Sequence, residues 1–147
     1  MPAAIDALAP DVLCLQEAWF PFQRDDLEAG LEHRLPYASY GGGGVALLSR
    51  QEPLTLHKGF PGDAEDAQRR FIYGTFADAQ ANPVTVMNGY FPQGESRDHP
   101  TKFPAKQRFY ADLQNLLLSQ FSPEQALVVM GDINISPEDC DIGIGEP

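Results

Sequence analysis

Three short apolar runs, each breaking off into polar residues, constrain this chain more than any other feature. Val12-Leu13-Cys14-Leu15 runs into Gln16-Glu17, Val84 to Met87 into Asn88-Gly89-Tyr90, and Ala126 to Met130 into Gly131-Asp132-Ile133-Asn134. Runs this short and this apolar are the pattern of strands covered on both faces. Further β-type sequence covers Tyr37 to Tyr40, Val45 to Leu48, Leu54 to Phe60 and Phe71 to Phe76. Phe22 to His33 carries Leu27 and Leu31 at helical spacing and reads as a surface helix. Pro104 sits where another helix would start, and Phe109, Leu113, Leu116 and Leu117 give that helix one apolar face. Ile5 and Leu8, followed by Pro10, read as the end of a helix. The order predicts an α/β fold with a mixed, mostly buried sheet flanked by helices.

The chain has 147 residues, enough for one domain, and 43% of them are hydrophobic, which excludes a disordered chain. No apolar run approaches the 18 residues of a membrane-spanning helix, and MPAAIDALAP lacks the basic start of a signal peptide. Cys14 and Cys140 are too few for a disulfide scaffold and read as reduced thiols, so the expected compartment is the cytoplasm. About three helices must cover a sheet that is apolar on both faces. The chain opens in the last turns of a helix and stops on the loop-like Gly143-Ile144-Gly145-Glu146-Pro147. Residues 1–147 are therefore expected to be one partial domain, incomplete at both ends.

Charge divides along the chain. Ten basic against 21 acidic residues give a net charge of −11, which argues against a protein that coats phosphates through counterion release. Six of the ten, Arg69, Arg70, Arg97, Lys102, Lys106 and Arg108, fall between positions 69 and 108. That block is either a face for a polyanion or a solvated surface with ordinary ion pairs.

Ligands of α/β sheets bind beyond the carboxyl ends of strands, which makes the three polar endings natural neighbours. Singly, each has a plain structural explanation: a surface or capping Glu17, a packed Tyr90, turn chemistry for Asp132 and Asn134. Together they are a chemical set. Two carboxylates and an amide are hard oxygen donors suited to magnesium and too few for a calcium cage. His33, His57 and His99 are scattered and give no zinc spacing. No serine sits on a strand-to-helix elbow, and no Gly-Lys-Ser/Thr follows a glycine loop. Gly41 to Gly44 reads as a hairpin tip or flexible turn.

The stretches PDVLCLQE (10–17), GVALLSR (44–50), GFPGDAEDAQRRFIYG (59–74), NGYFPQGESRDHPTKFPAKQRFY (88–110) and MGDINISPEDCDIGIGE (130–146) closely resemble the bacterial exodeoxyribonuclease III family. That family lies in the endonuclease/exonuclease/phosphatase superfamily of magnesium-dependent phosphodiesterases. The resemblance covers nearly the whole chain, least distinctively at 22 to 34. It implies a four-layer α/β/β/α sandwich of the DNase I-like kind. By match of motif, Glu17 corresponds to the metal-binding glutamate and Tyr90 to the catalytic tyrosine near the scissile phosphate. Asp132 matches the aspartate that activates or positions the attacking water, and Asn134 the asparagine that orients the phosphate. Glu17, Asp132 and Asn134 form the implied metal set, for Mg2+ or Mn2+. Arg97 and Lys102, in the block next to Tyr90, are the candidate DNA-backbone contacts.

The resemblance implies hydrolysis of DNA phosphodiesters in repair. Its forms are 3′-to-5′ exonuclease action on duplex DNA, incision at abasic sites and removal of 3′ phosphates, by a protein that is monomeric at full length and needs no membrane. Two alternatives stand beside it: a catalytically inactive truncated remnant, and a related phosphodiesterase acting on lipid or inositol phosphates. The chain departs from the family pattern in lacking an initial Asn-Ile-Asn-Gly-type strand, a further metal-side aspartate and a terminal Ser-Asp-His. The part beyond GIGE is where a second sheet is expected. The glycine-rich turn before GVALLSR is also short and lacks a basic residue. The chain by itself is expected to hydrolyse DNA poorly.

Overall fold

The computed structural model describes residues 5, 7–19, 31–38, 43–63 and 68–136. In chain order these hold β1 (Val12–Trp19), β2 (His33–Ala38), β3 (Gly43–Ser49), β4 (Thr55–Lys58), β5 (Phe71–Ala77), β6 (Pro83–Tyr90), α1 (Lys102–Gln120) and β7 (Ala126–Asp132). Ile5, Ala7 and Leu8 have helical backbone, as the Pro10 stop signal predicts. Two sheets result. One is antiparallel with the order β1-β3-β2, and the other has the order β4-β5-β6-β7. In the second sheet β6 and β7 pair in parallel, with α1 as the crossover between them, while the other pairs are antiparallel.

Strand alternation sorts the side chains into layers. On β5, Phe71 and Tyr73 face α1, joined by Met87, Phe91 and the helix residues Phe109, Leu113 and Leu116. The helix meets them through positions four and three residues apart, one stripe of its surface. Ile72 and Phe76, one step out of phase, join Val86 in facing Val45 and Leu47 of β3, and this is the core between the sheets. The other face of β3 gives Ala46 and Leu48 to an outer cluster with Ile5, Ala18 and Leu31. Buried on both faces, β3 could not alternate apolar with polar, hence its unbroken apolar sequence. No helix among the described residues is long and apolar enough to cross a membrane.

The structure corrects several expectations. The second sheet, expected beyond this chain, is already here: the apolar runs divide between two sheets packed face to face. His33, read as the end of a surface helix, begins β2, where it pairs with Ser49; residues 22–30 of that predicted helix lie outside the described residues. The strand expected at Tyr37 to Tyr40 is His33–Ala38, and 39–40 lie outside the description. The strand expected over Leu54 to Phe60 narrows to Thr55–Lys58. Of the four-glycine run, Gly43 and Gly44 belong to β3, and 41–42 lie outside the description.

Helix α1 begins two residues before Pro104. A proline is tolerated there because first-turn N–H groups have no intrahelical acceptor. Its start is instead fixed by His99, whose Nδ1 accepts from the backbone N–H of Thr101 (3.3 Å) and of Lys102 (3.1 Å). Cys14 is a free thiol whose pKa burial pushes up to about 12. Cys140 lies outside the described residues.

Candidate active site

The three polar endings meet at one end of the two sheets. On β1, Leu15 pairs with Ala46 and Ala18 with Gly44, so two residues, Gln16 and Glu17, oppose one on β3. This bulge puts Glu17 in the left-handed region at φ 52° and turns an exposed carboxylate out of the ladder. Tyr90 ends β6 on the inter-sheet side, and its hydroxyl donates to Glu17 Oε1 at 2.5 Å. Asp132 ends β7 directly opposite Tyr90 in the parallel register. Asn134 follows, with φ 53°; its backbone N–H donates to Asp132 Oδ1 (3.1 Å) and its Nδ2 to the Phe91 carbonyl (2.9 Å). Glu17, Tyr90, Asp132 and Asn134 thus form one hydrogen-bonded and strand-paired group.

Two features below this group hold the strand ends in place. Asn88 is fully buried between the sheets. Its Nδ2 donates to the carbonyls of Leu15 and Ala46, both at 2.9 Å, and its Oδ1 accepts from Gln16 Nε2 at 2.6 Å. One amide therefore ties β6 to β1 and β3 beside the bulge that aims Glu17. Gly89 and Gly131 face each other across β6 and β7. A Cβ on Gly131 would overlap the Gly89 carbonyl oxygen, and the residue has φ +135°, so no side chain fits there. In the sequence Asn88 stands out only as the start of a polar ending. Its burial on the inter-sheet face follows from its phase with Val86, two residues before it.

Arg70, one of the six cations of the basic block, also belongs to the site. Its guanidinium lies 4.6 Å over the Tyr90 ring and donates to the Tyr90 carbonyl at 3.3 Å, while Nε donates to the Gln68 side chain. The signal was register: antiparallel pairing of Phe71 with Gly89 places Arg70 opposite Tyr90. The Tyr90 phenol is raised above its ordinary value. The hydrogen bond to Glu17 is the largest cause; burial and the Glu17 charge add, Arg70 opposes, and Asp132 adds.

Three of the six cations of the basic block are engaged within the protein. Lys102 pairs with Glu95, which His99 Nε2 also approaches at 3.6 Å. Lys106 donates to the carbonyls of Asn134 (2.8 Å) and Gln93 (3.2 Å), and Arg70 sits on Tyr90. Arg97 is exposed. Arg97 and Lys102 both lie outside the hydrogen-bonded group around Tyr90.

This arrangement can be set against known proteins. The sequence profile of the Endonuclease/Exonuclease/phosphatase family matches residues 2–139. The chain belongs to that family. Within it, the chain is 46% identical to Exodeoxyribonuclease III of Haemophilus influenzae over 152 aligned positions, covering 99% of this chain and 55% of that protein. A 3′ phosphatase from Neisseria, solved with a product DNA hairpin, superposes with a TM-score of 0.71 at 33% identity, over 95% of this chain and 54% of that one. An AP endonuclease from Archaeoglobus fulgidus gives 0.76 at 26% identity, over 95% and 52%. The chain spans about half the length of the relatives it matches. The α/β architecture with two packed sheets is the DNase I-like arrangement of these family members.

The donor chemistry of the site suits a hard cation. Glu17 and Asp132 offer carboxylate oxygens and Asn134 an amide, a set matching the few protein ligands that magnesium takes. Among the described residues no group of three or more His, Cys, Asp or Glu comes together, so a dense cage of the calcium or zinc type is absent from them.

Proposed function

We propose that this chain carries the metal- and phosphate-binding site of an exodeoxyribonuclease III-type enzyme of DNA repair. Its reaction is Mg2+-dependent hydrolysis of phosphodiesters at 3′ ends of duplex DNA and at abasic sites, and of 3′-terminal phosphates. The observation that carries the reading is the Tyr90 hydroxyl on Glu17, with Asp132 in register beside Tyr90. The 46% identity to an Exodeoxyribonuclease III supports the substrate class. Mn2+ is the natural substitute metal, and the reading carries with it a cytoplasmic enzyme that is monomeric at full length.

Hydrolysis of a phosphodiester needs an in-line water and neutralisation of charge on the non-bridging oxygens. Glu17, Asp132 and Asn134 would hold the Mg2+, which supplies Lewis-acid neutralisation of those oxygens when bound. Tyr90 acts as a neutral donor. Its hydroxyl, which donates to Glu17 in this structure, would donate to a phosphate oxygen when DNA is bound. Asp132 accepts from and orients the attacking water, and the Asn134 amide aligns the phosphate. Arg97 and Lys102 are backbone contacts in this proposal, with Lys102 exchanging Glu95 for a phosphate on binding.

The test is a chimera carrying this chain in place of the aligned part of the Haemophilus influenzae relative. It should cleave an abasic-site duplex only with Mg2+ or Mn2+, and Asp132→Asn should lower turnover by about 10²–10³-fold with little change in stability. Lys102→Ala should instead weaken DNA binding and reduce its salt dependence by a slope of about one. Turnover of an inositol phosphate with the DNA substrates untouched would overturn the reading.

A further inference from the structure

Lys106 stands in the middle of the basic block, yet its ammonium is turned away from the role that its charge suggests. It projects from the second turn of α1, half-buried, and donates to two backbone carbonyls, Asn134 at 2.8 Å and Gln93 at 3.2 Å. Those carbonyls belong to different loops. Gln93 lies in the segment that leaves β6 after Tyr90, and Asn134 in the segment that leaves β7 after Asp132. The lysine stem crosses Gly94, where a Cβ would come within 2.8 Å of Lys106 Cδ and where φ is +82°. Glycine at 94 and lysine at 106 are therefore two halves of one contact. The Asn134 backbone needs such an anchor, because a non-glycine residue at φ 53° is held there by its surroundings. Its own two hydrogen bonds, to Asp132 Oδ1 and the Phe91 carbonyl, hold its N–H and its side chain, and Lys106 holds its carbonyl.

We propose that Lys106 is a positioning residue: its ammonium straps the loop after β6 to the loop after β7 and so holds Asn134, and through it Asp132, in place for the metal. This rests on the reading of Glu17, Asp132 and Asn134 as a metal site. It separates Lys106 from Arg97 and Lys102, the candidate DNA contacts, because its donors are directed to the protein's own carbonyls. A charged donor on two carbonyls restrains a loop more firmly than neutral hydrogen bonds would.

The experiment compares the chain with Lys106→Met, which keeps an unbranched stem over Gly94 and removes the ammonium. Two quantities are read: amide hydrogen exchange at 133–135 and 93–95, with β5 as internal reference, and Mn2+ binding followed by electron paramagnetic resonance. The strap requires exchange in both loops to rise about tenfold while β5 is unchanged, which is the scale of losing a charged hydrogen bond. Mn2+ should bind severalfold more weakly. Unchanged exchange in the two loops overturns the strap, and faster exchange with unaltered Mn2+ affinity overturns its positioning role. If the parent chain binds no Mn2+, the metal reading of the site falls separately, and the exchange comparison alone still decides whether Lys106 ties the loops.

Discussion

Tyr90 sits between a carboxylate that holds its proton and a guanidinium that would release it, and the two can be separated by substitution. The hydrogen bond to Glu17 comes first among the causes of its raised pKa, and Arg70 acts the other way. Without metal, Glu17→Gln should bring the Tyr90 titration back toward the ordinary tyrosine value, and Arg70→Met should push it further up. The check is ultraviolet difference titration of each variant with and without Tyr90→Phe. The folded-state pKa lies above the unfolded one, so the protonated phenol's contribution to stability is complete below pH 10. It is lost as the pH climbs from there through the raised value. Asn88 is a different kind of residue, one whose loss strands several partners. Asn88→Ala leaves Gln16 Nε2 and the Leu15 and Ala46 carbonyls without their shared amide. At about 1–3 kcal/mol for each buried unsatisfied group, denaturant unfolding should show a loss of at least about 3 kcal/mol. A loss below 1 kcal/mol would mean that the amide does not clamp the sheets.

Helix α1 is held at its start by a histidine two residues outside the usual capping position. Because His99 Nδ1 accepts from two first-turn N–H groups, His99→Ala should cost about 0.5–2 kcal/mol by thermal or denaturant unfolding, and His99→Asn, which keeps an acceptor, should cost less. Equal losses for the two would refute the cap. Most elements of this kind were legible from their side chains. The buried strands β3 and β5 and the half-exposed β7 all announce themselves as apolar runs, and α1 by Phe109, Leu113 and Leu116. The division of the strands into two sheets was not legible, because Val45 and Ala46 face different layers while reading as one run. In the site, Glu17, Tyr90, Asp132 and Asn134 were legible as strand endings. The bulge that aims Glu17 was not: a one-residue slip depends on pairing with β3, and nothing in Gln16-Glu17 encodes it. Arg70 and Lys106 were hidden for a related reason. A count of cations along the chain cannot tell a lysine facing solvent from one facing a carbonyl.

At the scale of the molecule, the two sheets do not cover one another completely. The three-stranded sheet packs over β5 and β6, whose inward residues Ile72, Phe76 and Val86 are buried. On β7 the same inward phase is open: Val128 is 40% and Met130 39% exposed, with Ile133 and Ile135 exposed just beyond. The opposite phase, Leu127 and Val129, packs against the helix-side core. Thus β7 shows an apolar face, and among the described strands it pairs only with β6, leaving one edge without a neighbour. An apolar edge strand is a template for pairing with another chain. The 147-residue chain by itself should therefore self-associate at micromolar concentrations and bind a hydrophobic dye. Val128→Lys, which places a charge on the open face without touching Leu127 or Val129, should shift sedimentation toward monomer and leave the far-ultraviolet circular dichroism intact. In the full-length chimera the same substitution should instead destabilise the fold, if the added chain buries this face. A parent chain that sediments as a single dye-silent monomer would show that β7 is adequately protected as it stands.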